Sequence, residues 1–236
     1  MGTIKTRSKV EALTFVFAFH TPHYNPSMAD AATRLNQLLH ESGHPPLSPK
    51  TGEKFAAYLT LLQKWNAKTN LTAIRDEEGI LSRHFLESIL CTQSLPDGIQ
   101  TLLDFGSGAG FPGIPIALMR SNLLVTLAES QNKKAAFLRE AVRTLGLTTK
   151  VHSGRAEDLK ERFDCITLRA VDKMEKAVPV AIDLLAPAGW LAILATHEEA
   201  PTIQTLASQS ARIDWAPLQP LPPGSSRILL LGKSAK

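Results

Sequence analysis

At 236 residues, 44% of them apolar, the chain is long enough to bury one sizeable core with a smaller lobe attached, which argues against a disordered protein. The formal net charge of +4 is a mild basic excess that suits a polyanionic partner and is equally common among ordinary soluble proteins. With only Cys91 and Cys165 there is neither a disulfide framework nor a cysteine metal site, no metal is expected, and a reducing, cytoplasmic setting fits.

In chain order, Lys5, Arg7 and Lys9 precede a short apolar run from Val10 to Phe19. Glu11 lies inside that run and no small-x-small cleavage site follows, so residues 1–27 read as a flexible or mis-started extension rather than a signal peptide. No run approaches the length of a membrane span. From Met28 the pattern turns helical, with Leu35, Leu38 and Leu39 on one face before Gly43 and Pro45-Pro46. Ser48 is a plausible N-cap with Pro49 at the first helical position. Phe55, Tyr58, Leu59, Leu62 and Trp65 then form an apolar stripe at spacings of three and four. A third helix is expected from Asp76 to Leu90, carrying Arg83-His84. Residues 28–95 thus read as a small helical lobe, and Pro96-Asp97-Gly98 marks its boundary with residues 96–236.

Beyond that boundary strands and helices alternate. Strands are expected at Thr101–Phe105, Leu123–Ala128, Lys150–His152, Phe163–Leu168 and Trp190–Ala195. Helices fall between them at Pro112–Met119, Lys133–Leu145 and Met174–Leu185, and a last one at Glu198–Ser208. Ile213–Trp215 and Arg227–Leu231 flank a Pro-rich turn and read as a terminal antiparallel hairpin. This is an α/β, doubly wound, Rossmann-like sheet, covered on both faces, with ligands expected at the carboxyl ends of its strands.

The first strand ends in Asp104-Phe105 and runs into Gly106-Ser107-Gly108-Ala109-Gly110-Phe111-Pro112-Gly113. Glycines so spaced allow a sharp bend with positive φ and let a ligand lie against bare N–H groups. Two cofactors compete for it. Gly108, Gly110 and Gly113 satisfy the dinucleotide fingerprint, whereas Asp104, Gly106, Gly108 and Gly110 satisfy the S-adenosylmethionine turn. Register favours the methyl donor. Gly106 directly follows the strand and Phe111 falls where a third fingerprint glycine should be, while Asp104 can face the donor's ammonium and positive sulfur. A nicotinamide-dependent oxidoreductase remains the alternative enzyme, and an RNA-binding module without chemistry the non-enzymatic one.

Downstream, Glu129 ends the second strand about twenty residues after the turn, where a carboxylate can accept from ribose hydroxyls. Gly154-Arg155-Ala156-Glu157-Asp158 follows the third strand, where an adenine would be read. Arg169 follows the fourth, the position over which a methyl acceptor would lie. No Asn/Asp-Pro-Pro-aromatic run ends the fourth strand, as amine methylation commonly requires, and Cys165 lies mid-strand, where it reads as buried and inert. A substrate atom already nucleophilic at neutral pH, such as guanine N7, needs neither base nor nucleophile, only alignment.

The Asp104–Pro115 turn, Asn70-Leu71-Thr72-Ala73-Ile74 with Arg83-His84-x-x-x-Glu87-Ser88, and Ser130-Gln131-Asn132-Lys133-Lys134-x-x-Phe137-Leu138 together resemble the glucose-inhibited division protein B family of 16S ribosomal RNA guanine-N7 methyltransferases, subunit type G. The resemblance runs from Ser48 to the end of the fifth strand. It implies a class I methyltransferase fold, S-adenosyl-L-methionine as donor, no metal, and guanine 527 of the decoding-centre loop as acceptor. The partner is then 16S rRNA, free or within the small subunit or its precursor, and the enzyme a cytoplasmic monomer without a membrane partner. Matched position by position, Gly106, Phe111, Ala156, Glu157 and Arg169 correspond to its cofactor contacts, and Gly108 of the turn and Glu129 at the second strand end complete the set of cofactor-binding candidates. Arg169 is also the best candidate for positioning, and no catalytic residue is assigned. Lys133, Lys134 and Arg139 would face RNA phosphates. Glu129 and Glu87 stand where the family usually has aspartate, and Lys134 where arginine is common, which loses a bidentate fork.

Overall fold

The computed structural model describes residues 26–235. The apolar run at Val10–Phe19 lies outside the described residues. The first helix, α1, spans Pro26–Glu41 and so starts two residues ahead of the expected Met28. In α2 (Pro49–Asn66), Ser48 Oγ accepts the Thr51 N–H at 3.2 Å and Pro49 opens the helix where its missing N–H costs nothing. Phe55, Tyr58, Leu59 and Leu62 of its stripe are buried, and Trp65 at the end donates its indole N–H to Glu140 at 3.1 Å.

The third helical stretch is capped by Asp76, whose carboxylate accepts the Gly79 N–H at 2.7 Å. It is not the uninterrupted α-helix that periodicity predicts. Glu77–Ile80 (α3) runs into a π-helical turn at Leu81–Leu86, and Glu87–Ser94 (α4) resumes the α-helix. At the junction the Glu87 N–H bonds to the His84 carbonyl rather than to that of Arg83, which leaves the Arg83 carbonyl able to accept from elsewhere. Such turns are common at functional sites. Ile80, Leu81, Leu86 and Ile89 stay buried through the slip, so the apolar pattern does not betray it.

Eight strands form one sheet: β1 (Thr101–Phe105), β2 (Leu124–Ala128), β3 (Lys150–His152), β4 (Phe163–Arg169), β5 (Leu185–Thr196), β6 (Ile213–Trp215), β7 (Gln219–Pro220) and β8 (Arg227–Ser234). Their order is β3-β2-β1-β4-β5-β8-β6, with β7 sharing β8's outer edge. The first five are parallel, and β8 is antiparallel to both β5 and β6. The expected alternation and terminal hairpin are therefore present. β5 begins earlier than Trp190 because of an irregularity: Phe163 pairs with Leu185, but Cys165 already pairs with Trp190. Pro187 cannot donate to the ladder and Ala188 takes φ +57°, so the intervening residues bulge.

The remaining helices are α5 (Gly113–Met119), α6 (Asn132–Thr144), α7 (Met174–Asp183) and α8 (Ala200–Ser210). Strand residues alternate between two cores. Leu102, Cys165, Leu229 and Leu231 face α2, α4, α5 and α6, whereas Leu103, Ile166, Leu168, Ile228 and Leu230 face α7 and α8. The helices of residues 28–95 thus share a continuous core with one sheet face. No helix among the described residues is long and apolar enough to cross a membrane.

Candidate functional site

At the carboxyl ends of β1, β2 and β4 lies a cavity of about 670 Å³. All seven cofactor-binding candidates line it: Gly106, Gly108, Phe111, Glu129, Ala156, Glu157 and Arg169. The turn that forms its floor has Gly106, Gly108 and Gly110 at φ +69°, +57° and +91°. It is stitched to the neighbouring strand, since the Ser107 N–H bonds to the Ala128 carbonyl at 2.9 Å and the Gly108 N–H to Glu129 Oε2 at 2.9 Å. Glu129 Oε1 accepts from the Gln131 N–H at 2.7 Å. A carboxylate oxygen has room for more than one donor, so Glu129 can hold the turn and still accept ribose hydroxyls.

Asp104 does not face the cavity. It is 1% exposed beneath the turn, accepting from the Thr167 hydroxyl at 2.7 Å and from the Gly113 N–H at 3.2 Å. The expectation that it meets the sulfonium is corrected: strand alternation turns its side chain to the face that α5 covers, and Gly113 is glycine because a Cβ there would press on Asp104 and Leu127. Burial pushes its carboxyl up to about 6, against the opposing pull of Thr167, Ser107, Gly113 and Arg169. A folded value above the unfolded one means that Asp104's contribution to stability is whole below about pH 4 and is lost as pH rises through about 6. Wild-type stability relative to Asp104→Asn is therefore expected to fall by about 3 kcal/mol over that window. Urea midpoints at several pH values check this, and a difference independent of pH would contradict it.

The wall opposite the turn is built around Arg169. Its side chain is 8% exposed and its Nη2 lies 2.8 Å from Glu87 Oε2, itself 2% exposed. The same Nη2 also lies against the Arg83 carbonyl and, at 3.1 Å, His84 Nδ1, so its two protons are shared among three acceptors. Arg169 Nη1 is buried with no partner. Arg83 and Arg227 stand 3.8 and 3.9 Å from the Glu87 carboxylate, so three guanidiniums share one carboxylate. Burial raises the Glu87 carboxyl, with Arg169, Arg227 and Arg83 pulling it back, and burial lowers the Arg169 guanidinium, with Glu87 supporting it. His84 is pushed down to about 3 by burial and by the Arg169 cation, so the ring is neutral. It stacks on Phe111 with centroids 4.7 Å apart.

Of the RNA-facing candidates on α6, Lys134 lines the cavity, Lys133 is exposed outside it, and Arg139 bonds to Ser153 Oγ. Arg227 also lines the cavity, although the sequence marks it only as a strand start. Cys91 and Cys165 are fully buried, and burial raises both thiols, Cys91 to about 12. Among the described residues no group of three or more His, Cys, Asp or Glu side chains could hold a metal ion.

The sheet order, the strand-end glycine turn and the carboxylate ending β2 define the class: a class I S-adenosylmethionine-dependent methyltransferase fold. Solved structures agree. A SAM-dependent methyltransferase from Aquifex aeolicus superposes with TM-score 0.54 at 17% identity, over 66% of this chain and 93% of that one. TYW2 of P. horikoshii, solved in complex with MeSAdo, gives 0.54 at 14% identity over 65% and 63%. Within the class, residues 51–212 match the family model described as rRNA small subunit methyltransferase G, and the chain belongs to that family. The protein of that name from Roseiflexus sp. is 44% identical over 151 residues, 58% of this chain and 64% of its own length. That from Stenotrophomonas maltophilia is 42% identical over 181 residues, 74% of this chain and 83% of its own.

Proposed function

We propose that the protein transfers the methyl group of S-adenosylmethionine to N7 of a guanine in 16S rRNA, the guanine 527 of the family resemblance. The observation that carries this reading is a cavity whose lining joins the cofactor candidates to Arg83, Arg169 and Arg227 and includes no thiol. Both thiols are buried, and the one histidine lining the cavity has its Nδ1 lone pair occupied by Arg169. Guanine N7 suits such a site, because it has a lone pair and no proton to lose, so alignment suffices.

The residues present fit the donor. Arg169 Nη1 is a buried hydrogen-bond donor without a partner, as a carboxylate-binding group should be before its ligand arrives. Glu129 would accept the ribose hydroxyls, and the Ala156-Glu157 segment would flank the adenine. When bound, S-adenosylmethionine supplies an electrophilic methyl on a positively charged sulfur. Phosphates flanking the acceptor would lie against Arg83, Lys134 and Arg227, which gives the arginine wall a use a small acceptor would not.

The test is methyl transfer in vitro to naked 16S rRNA and to isolated small subunits, with N7-methylguanine mapped by reduction and strand scission. Modification of that one guanine is expected, and comparison of the two substrates identifies the particle used. Full N7 methylation of this nucleotide in a deletion strain would overturn the assignment. Calorimetric titration with S-adenosylhomocysteine and with a nicotinamide dinucleotide separates the oxidoreductase alternative, since binding of the dinucleotide alone would favour it.

A further inference from the structure

Part of the cavity wall is formed by Thr72 and Ile74, in the loop between α2 and α3, and by His84 in the π turn. His84 is engaged at both ring nitrogens, Nδ1 with Arg169 Nη2 at 3.1 Å and Nε2 with Thr72 Oγ1 at 2.7 Å. A guanidinium has only donors, so the tautomer with a bare Nδ1 is the one that avoids setting one N–H against another at this distance. The proton of the neutral ring therefore sits on Nε2 and is donated to Thr72. The Ile74 N–H is donated to the same oxygen at 3.2 Å. Two incoming hydrogen bonds fill both lone pairs of Thr72 Oγ1, which leaves that half-buried hydroxyl able to donate and unable to accept. Stacking on Phe111 and the bonds at both nitrogens hold the ring in this tautomer.

We propose that Thr72 reads the acceptor base, donating its hydroxyl proton to the carbonyl oxygen beside the methylated nitrogen. The proposal rests on the reading that the acceptor is guanine N7. On that edge guanine offers two acceptors, N7 and O6, whereas adenine offers N7 beside an amino donor. A hydroxyl confined to donation bonds O6, opposes the adenine amine, and leaves the N7 lone pair free for the methyl group. Arg169, through His84, thus fixes the direction of a hydrogen bond two groups away.

The experiment is a cycle between the residue and the substrate atom. RNA is prepared with guanine or with 2-aminopurine at the target, the latter keeping N7 and the 2-amino group but carrying hydrogen in place of O6. Thr72→Val is expected to lower kcat/KM on guanine RNA about tenfold and to leave that on 2-aminopurine RNA nearly unchanged, so that the preference for guanine shrinks by the same factor. The intrinsic reactivities of the two bases cancel in this ratio. Thr72→Ser keeps the wild-type preference, and all variants keep wild-type affinity for S-adenosylhomocysteine, which a merely structural defect would not spare. Should valine upset the loop, Thr72→Ala serves the same comparison. An unchanged preference in a folded, cofactor-binding variant, with N7 methylation intact in the wild type, overturns this inference alone. Absence of N7 methylation by the wild type on guanine RNA overturns it together with the function it rests on.

Discussion

Arg169→Ala is expected to abolish methyl transfer and also to lower the unfolding free energy by about 3–5 kcal/mol. The sequence alone, which places Arg169 at a strand end, predicts a loss of turnover that largely spares folding. The structure changes that balance. Arg169 and Glu87 are both nearly inaccessible, and removing the guanidinium leaves a buried carboxylate with only Arg83 and Arg227, nearly 4 Å away, to offset it. Those two arginines put the cost toward the lower end of the range. Stability and chemistry are separated by a second variant. Arg169→Met combined with Glu87→Leu replaces the pair by apolar side chains of similar volume, and is expected to return to within about 1–2 kcal/mol of wild type, because a buried ion pair repays little more than its own desolvation. It should nonetheless stay inactive, having lost the donors that face the ligand. The checks are urea denaturation and single-turnover methylation of all three variants. A double variant no more stable than Arg169→Ala would mean that the pair is not coupled as the distances indicate, and wild-type turnover in Arg169→Ala would remove that residue from the site.

Much of this arrangement was legible in the sequence because it is local. The periods of two and 3.6, the Ser48-Pro49 helix start and the glycine spacing of the turn are each fixed by residues within a few positions of one another. They correctly place seven cofactor candidates on one cavity. What the sequence hid depends on tertiary context. Asp104 has the residue type of a cofactor contact, but only the packing of α5 against β1 shows that it lies under the turn. The π turn at Leu81–Leu86 leaves the apolar stripe intact, so nothing in the periodicity announces that the Arg83 carbonyl has been released to Arg169. Arg227 lies more than fifty residues from any other residue of the site, and no local pattern links it to Glu87. One signal was available: Asn70-Leu71-Thr72 and Arg83-His84-x-x-x-Glu87 form part of the family resemblance without a role in the cofactor turn, which is what residues of an acceptor wall would look like.

The second large effect is expected in the turn, where two neighbouring glycines are required for different reasons. At Gly110, φ is +91°, and an added Cβ would lie 2.5 Å from Ile114 Cδ1 and 2.8 Å from the Tyr58 hydroxyl. Tyr58 belongs to α2 and donates that hydroxyl to the Ala109 carbonyl at 2.5 Å, so the helical segment grips the turn from outside. Gly110→Ala then combines backbone strain with a clash against fixed neighbours, and a loss of about 3 kcal/mol or more is expected. At Gly108, φ is +57° but the nearest atom to an added Cβ is the Gly106 carbonyl oxygen at 3.9 Å. Gly108→Ala should therefore cost about 1–2 kcal/mol in stability. Since Gly108 lines the cavity, a Cβ there would compete for open space with the cofactor proposed to bind in it. The expected pattern is a crossing one: Gly110→Ala lowers the thermal midpoint steeply, whereas Gly108→Ala stays folded and loses affinity for S-adenosylhomocysteine by at least about tenfold, or 1.4 kcal/mol. Differential scanning calorimetry and isothermal titration of the two variants check it, and equal losses in both would deny that the turn is held from one side and read from the other. Tyr58→Phe in the Gly110→Ala background sharpens the point. Removing the hydroxyl clears one of the two clashes, so the double variant should be more stable than the sum of the single losses predicts. It cannot reach wild type, because Ile114 still obstructs the Cβ and the buried Ala109 carbonyl has lost its donor.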